Sequence, residues 1–92
     1  MKESDVEQYL VDEVKRLGGE IRKVKWPGRR GGPDRIVLFP GAVLFWVEAK
    51  SLTGVVKIHQ SREHARLRKM GQKVYVCNSK EQVDAVLRIY FP

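Results

Sequence analysis

Two apolar runs separated by Pro40-Gly41 constrain this chain more than any other feature. The first is Arg35, Ile36, Val37, Leu38 and Phe39, and the second runs from Ala42 to Val47. A Pro-Gly break between short runs rich in β-branched and aromatic residues predicts a β-hairpin. Both outer ends are charged: Asp34 opens the first run, and Glu48-Ala49-Lys50 closes the second. The second run is apolar on both faces until Glu48, which predicts a central strand covered from both sides.

The rest of the chain supplies the cover. Ser4 followed by Asp5, Val6 and Glu7 has the form of a capping box, and Val6, Leu10, Val14 and Leu17 repeat at helical spacing up to Gly18-Gly19. Glu20 to Lys25 reads as a short, exposed strand ending at Trp26-Pro27, and Gly28 to Pro33 as a loop. Ile58 to Met70, with Ala65, Leu67 and Met70 on a charged background, predicts a helix stopped by Gly71. A strand follows over Lys73–Cys77, and Ser79 then caps a last helix with Val83, Val86, Leu87 and Tyr90 as its stripe. The order is α-β-β-β-α-β-α. The helix between the third and fourth strands permits a parallel crossover, so the expected class is α/β, a mixed central sheet flanked by helices. With 92 residues and no linker or low-complexity run, a single domain over 1–92 is expected.

Lys and Arg total 18 against 11 Asp and Glu, a formal charge of +7. Such a field draws in polyanions. The longest apolar run is too short to span a bilayer, so no membrane partner is expected. The opening MKESDVEQYL has acidic residues where a signal peptide is basic and then apolar, which points to the cytoplasm, the host's if the gene is phage-borne. Cys77, the single cysteine, lies in the apolar run Val74-Tyr75-Val76-Cys77 and reads as an inert core thiol. No Cys/His cluster has zinc-finger spacing.

Hairpin geometry brings the charged ends together. With a two-residue loop, facing residues have numbers summing to about 81; with a three-residue loop the sum is about 82. Asp34 then faces Val47 or Glu48. Facing residues have Cβ atoms roughly 4.5–5.5 Å apart, close enough for two carboxylates to converge, and Glu48 and Lys50 point to the same face. Two such carboxylates repel unless a hard divalent cation with oxygen ligands bridges them, which suits Mg²⁺. The bland reading makes Asp34 a turn residue and Glu48 with Lys50 an exposed ion pair.

Gly31-Gly32-Pro33-Asp34, Val47-Glu48-Ala49-Lys50 and His59-Gln60 together resemble the motifs of the VRR-NUC branch of the PD-(D/E)XK nucleases, in its minimal stand-alone phage and bacterial form. The resemblance covers essentially the whole chain and implies a restriction-endonuclease-like domain. Carried over residue by residue, it implies that Asp34 and Glu48 bind Mg²⁺, with Mn²⁺ as a substitute, and that Lys50 is the catalytic lysine. Glu7 completes the carboxylate set, or serves only the capping box with Ser4. The backbone carbonyl of Ala49 is a further candidate ligand, and Gln60 orients a water or phosphate. Some larger members carry a basic residue where this chain has Val55. Similarity to Holliday-junction resolvases in size and site plan implies a homodimeric endonuclease acting on branched DNA, with no small-molecule cofactor.

Lys23, Lys25, Arg29, Arg30 and Arg35 surround the Gly-rich loop, and Arg62, Arg66, Arg68 and Lys69 lie on the predicted second helix. All are candidate phosphate contacts, each set against the simpler reading of a solvated surface charge. Trp26 either stacks on a base or joins the core. His59 and His64 receive no catalytic role. Two rival functions keep the same charge balance: a non-catalytic nucleic-acid-binding module, and a subunit whose basic face docks an acidic protein.

Overall fold

The computed structural model describes all of residues 1–92. Its elements are α1 (Glu3–Arg16), β1 (Glu20–Lys23), β2 (Arg35–Phe39), β3 (Val43–Ala49), α2 (Ile58–Lys69), β4 (Val74–Cys77) and α3 (Lys80–Tyr90). The strands form one sheet in the order β1-β2-β3-β4. The β1–β2 and β2–β3 pairs are antiparallel, while β3–β4 is parallel. The α/β class, element order and mixed sheet therefore agree with the expectation. No helix is long and apolar enough to cross a membrane.

The hairpin settles into the longer of its two registers. Phe39 pairs with Val43 and Arg35 with Val47, so Pro40, Gly41 and Ala42 form a three-residue loop. Gly41 and Ala42 both have left-handed backbone conformations, with φ of 85° and 64°. Glycine adopts that region freely, whereas the alanine does so against its Cβ.

Alternation along the strands sorts the side chains into two layers. Ile21, Val37, Phe45, Val47 and Cys77 point to one face, where Val6, Leu10 and Val14 of α1 and Val83, Val86 and Leu87 of α3 complete the core. Phe45 is fully buried and stacks on Tyr90 with ring centroids 4.6 Å apart. Burial of one such ring contributes about 1.5–3 kcal/mol. Cys77 is buried, and desolvation pushes its thiol up to about 11, as suits an inert core residue.

Three local expectations are corrected. The first helix starts before Ser4: the Asp5 carboxylate accepts from the Lys2 backbone N–H at 3.1 Å, so the cap does not involve Ser4 and Glu7. The second correction concerns α2, which buries Glu63 and His64 and leaves Ala65 and Met70 exposed. Its seat is polar, because Arg68 Nη2 donates to the Val74 carbonyl at 2.7 Å and Glu63 meets Arg29 and Arg66. The third is β1, which ends at Lys23, although the Val24 N–H still donates to the Asp34 carbonyl at 2.8 Å.

Candidate active site

The β2–β3 register places Asp34 one step beyond the Arg35–Val47 pair, opposite Glu48. Their shared face is the one turned away from α1 and α3, and it also carries Ile36 and Trp46. The loop before Asp34 packs there. The Trp26 ring lies 5.0 Å from that of Trp46, and the Trp26 indole N–H donates to the Pro33 carbonyl at 2.7 Å. Trp26 thus packs against the protein. Gly31, at φ 90°, sits so close to the start of α2 that an added Cβ would lie 2.4 Å from the His59 carbonyl oxygen. The loop, β2 and the start of α2 are thereby locked together around Asp34.

Glu48 is 8% exposed, and its carboxyl is raised to about 7. Desolvation is the main cause, followed by the charge of Asp34; Lys50 opposes both, and Glu3 and Glu7 add smaller upward pushes. The Lys50 ammonium lies 3.8 Å from Glu48 Oε2, on the same side of the strand. Asp34 Oδ1 is buried and has no hydrogen-bond partner. A buried acceptor costs about 1–3 kcal/mol when it stays unpaired. One orphaned carboxylate oxygen beside a second, reluctantly ionised carboxylate is a donor set suited to a hard divalent cation. No three His, Cys, Asp or Glu side chains already converge closely enough to hold one.

The remaining predicted residues occupy distinct positions. Ala49 is buried, in register with Cys77, and the neighbouring Lys50 N–H donates to the Cys77 carbonyl at 2.9 Å. Gln60 Oε1 accepts from the Lys57 backbone N–H at 3.0 Å, capping α2 and fixing the side chain beside the Gly31 contact. Glu7 points to Arg35, with Oε2 3.6 Å from Nη2.

No family model matches the chain. A protein of Acyrthosiphon pisum secondary endosymbiont phage 1, named "Putative nuclease p44", is 41% identical over 81 residues, covering 88% of this chain and 87% of its own. The solved structure of a VRR_NUC domain superposes with a TM-score of 0.88 at 40% identity, covering 98% of both chains. This chain belongs to the VRR-NUC family.

In this VRR-NUC domain six of the candidate phosphate contacts fall into three groups. Lys25, Arg30 and Arg62 are exposed, as a phosphate contact requires. Arg29 and Arg66 share the buried carboxylate of Glu63, at 3.9 and 2.8 Å, and their outer surfaces remain open. Arg35 departs from the expectation of a surface contact, because its side chain is only 18% exposed and its Nε is buried without an acceptor.

Three residues have surroundings that sequence reasoning did not foresee. Arg35 lies against Glu7; strand alternation from Asp34 would have turned it toward the first helix and revealed the contact. Glu63 is a buried anion in a helix that reads as wholly solvated. His64 is 1% exposed with Nε2 unpartnered, and burial, then Arg68 and Lys50, lower its proton affinity. Neither Glu63 nor His64 has a periodic signal, because both lie in a polar run.

Proposed function

We propose that this VRR-NUC domain is a metal-dependent nuclease that hydrolyses DNA phosphodiester bonds. The observation that carries the reading is the pairing of buried Glu48 with Asp34, whose Oδ1 is buried and orphaned, and the Lys50 ammonium 3.8 Å from Glu48. The name of the phage relative and the VRR_NUC likeness support it. Asp34 and Glu48, with Glu7 and the Ala49 carbonyl as further oxygens, would hold Mg²⁺ or Mn²⁺. Such a cation polarises a phosphate oxygen and lowers the pKa of water, making hydroxide accessible near neutral pH.

The chain's own groups supply the remaining chemistry. Lys50 orients the attacking water and offsets the negative charge that builds as oxygen adds to phosphorus and the bond to the leaving oxygen breaks. Gln60, held at the start of α2, offers its amide N–H₂ to a water or phosphate oxygen. Lys25, Arg29, Arg30, Arg62 and Arg66 bind the backbone without reading sequence, so affinity falls steeply with salt.

Branched DNA, including four-way junctions, is the proposed substrate, a homodimer the acting form, and the cytoplasm its location. Exposed Leu52, Val55 and Ile58, between 58% and 77% accessible, follow one another closely along the segment that enters α2 and are apolar side chains for a second copy to cover. Cleavage of linear, flap and four-way DNA is measured with Mg²⁺, with Mn²⁺ and with EDTA. The expectation is cleavage with either metal, most on the four-way substrate, and none with EDTA. Binding that needs no metal, without cleavage under any condition, would instead favour a non-catalytic binding module.

A further inference from the structure

Successive residues of β2 point to opposite faces of the sheet. Asp34 therefore faces Glu48, whereas Arg35 turns toward α1 and meets Glu7, with Nη2 3.6 Å from Oε2. Both side chains are largely covered, at 18% and 20% exposure. Their separation exceeds the roughly 2.7–2.9 Å of a good charge-assisted hydrogen bond. Two buried polar atoms nearby are also unsatisfied: Arg35 Nε has no acceptor, and Asp34 Oδ1 has no donor. Covalent geometry keeps these neighbours from satisfying each other across the strand.

Glu7 is paired with Arg35, which directly follows Asp34, and the register that pairs Arg35 with Val47 sets Glu48 one step on, so Glu7 lies at the same end of the sheet as both carboxylates. It does not join Asp34 and Glu48 in a cluster tight enough to share an ion. A cation that binds the Glu7 carboxylate more strongly than Arg35 does can displace the guanidinium.

We infer that Arg35 is a positioning residue that holds Glu7 beside the Asp34–Glu48 pair and yields it when a divalent cation enters, so that Glu7 exchanges one cationic partner for another. The inference rests on the proposed cation site. Arg35 then competes with the metal, and its removal tightens metal binding. This outcome is opposite to that expected if Arg35 were needed to build the site.

Calorimetric titration of the full-length protein with Mn²⁺ and with Mg²⁺, in the absence of DNA, tests it. Wild type, Arg35→Gln, Glu7→Gln and the double variant are compared. Arg35→Gln is expected to bind metal roughly tenfold more tightly, the size of one part-buried charge pair. Glu7→Gln is expected to bind more weakly, and adding Arg35→Gln to it should change nothing further. Such a cycle isolates the coupling between the two residues. Equal or weaker binding by Arg35→Gln overturns the inference. So does equal tightening in the Glu7→Gln background, which would reveal a through-space charge effect that bypasses Glu7. Should Arg35→Gln fail to fold, Arg35→Lys takes its place; its less well-matched ammonium should give a two- to threefold gain, and affinity at or below that of wild type overturns the inference. A wild-type protein that binds neither cation removes the cation site itself, whereas binding without the Glu7 coupling removes only the role of Arg35.

Discussion

Asp34 and Glu48 face each other one step past the last paired rung of the β2–β3 ladder, Arg35 with Val47. Glu48 is desolvated, Asp34 opposes its ionisation, and Lys50 at 3.8 Å answers only part of that cost. The surrounding packing holds the pair in place, so the desolvation of Glu48 is a cost in stability.

That cost has a predictable pH dependence. Glu48 keeps its proton in the folded chain up to about pH 7, against an ordinary value of 4.5. Between those limits the folded state binds more protons than the unfolded one, so stability falls as pH rises through the window and stays low above it. Glu48→Gln keeps the shape without the charge. It should raise unfolding stability by about 2–3 kcal/mol at pH 8 in the presence of chelator and change it little at pH 4. Urea denaturation at the two pH values measures this. A variant no more stable than wild type at pH 8 would mean that Glu48 ionises normally.

Lys50→Ala separates chemistry from binding. Turnover should fall by roughly 10²–10⁴-fold, the scale of one group that stabilises developing charge or assists proton transfer. DNA affinity should stay within about threefold, because Lys50 is one charge among many along the backbone contact. The same substitution removes the one group that lowers the proton affinity of Glu48. The pH midpoint of stability should therefore move upward. Unchanged turnover, or a midpoint that stays fixed, contradicts the role given to this ammonium.

Gly31 bears on the site through backbone contact alone. Gly31→Ala adds a Cβ 2.4 Å from the His59 carbonyl oxygen at a φ of 90°, so the loop and the start of α2 must part. Gly28 has a similar φ of 75° but open space around it. Gly28→Ala should cost about 1 kcal/mol from backbone strain alone, and Gly31→Ala at least about 1 kcal/mol more. Thermal unfolding of both variants gives the comparison. Equal losses would show that the contact with α2 does not matter.

The fold was legible where apolar spacing was regular. Val6, Leu10 and Val14, the runs on either side of Pro40-Gly41, and Val83 with Val86 and Leu87 each declare one buried face, and together they define the core. The charged site was legible because hairpin pairing leaves only two registers, one of which sets Asp34 opposite Glu48. What escaped was carried by polar contacts. Helix α2 is seated by Arg68 on the Val74 carbonyl and by Glu63 between two arginines, and such contacts leave no periodic trace. Arg35 counts as a surface charge in composition; only its position one residue after Asp34 turns it inward to Glu7.

The register that aligns the carboxylates is closed by Ala42, whose φ of 64° makes it the one non-glycine residue with a left-handed backbone. A Cβ there costs about 1–2 kcal/mol, whereas replacement by glycine gives back part of that gain through the freer unfolded chain. Ala42→Gly should therefore stabilise the protein by about 0.5 kcal/mol, and Ala42→Val, with its branched Cβ, should destabilise it by about 1 kcal/mol or more. Denaturant midpoints for the three chains should rank glycine above alanine above valine. Because Ala42 lies at the far end of the hairpin from Asp34, the glycine variant should match whatever Mn²⁺ affinity the wild type shows. If valine proved as stable as alanine, the loop would be relaxing into another turn, and the register opposing Asp34 to Glu48 would have to be held by the strand side chains alone.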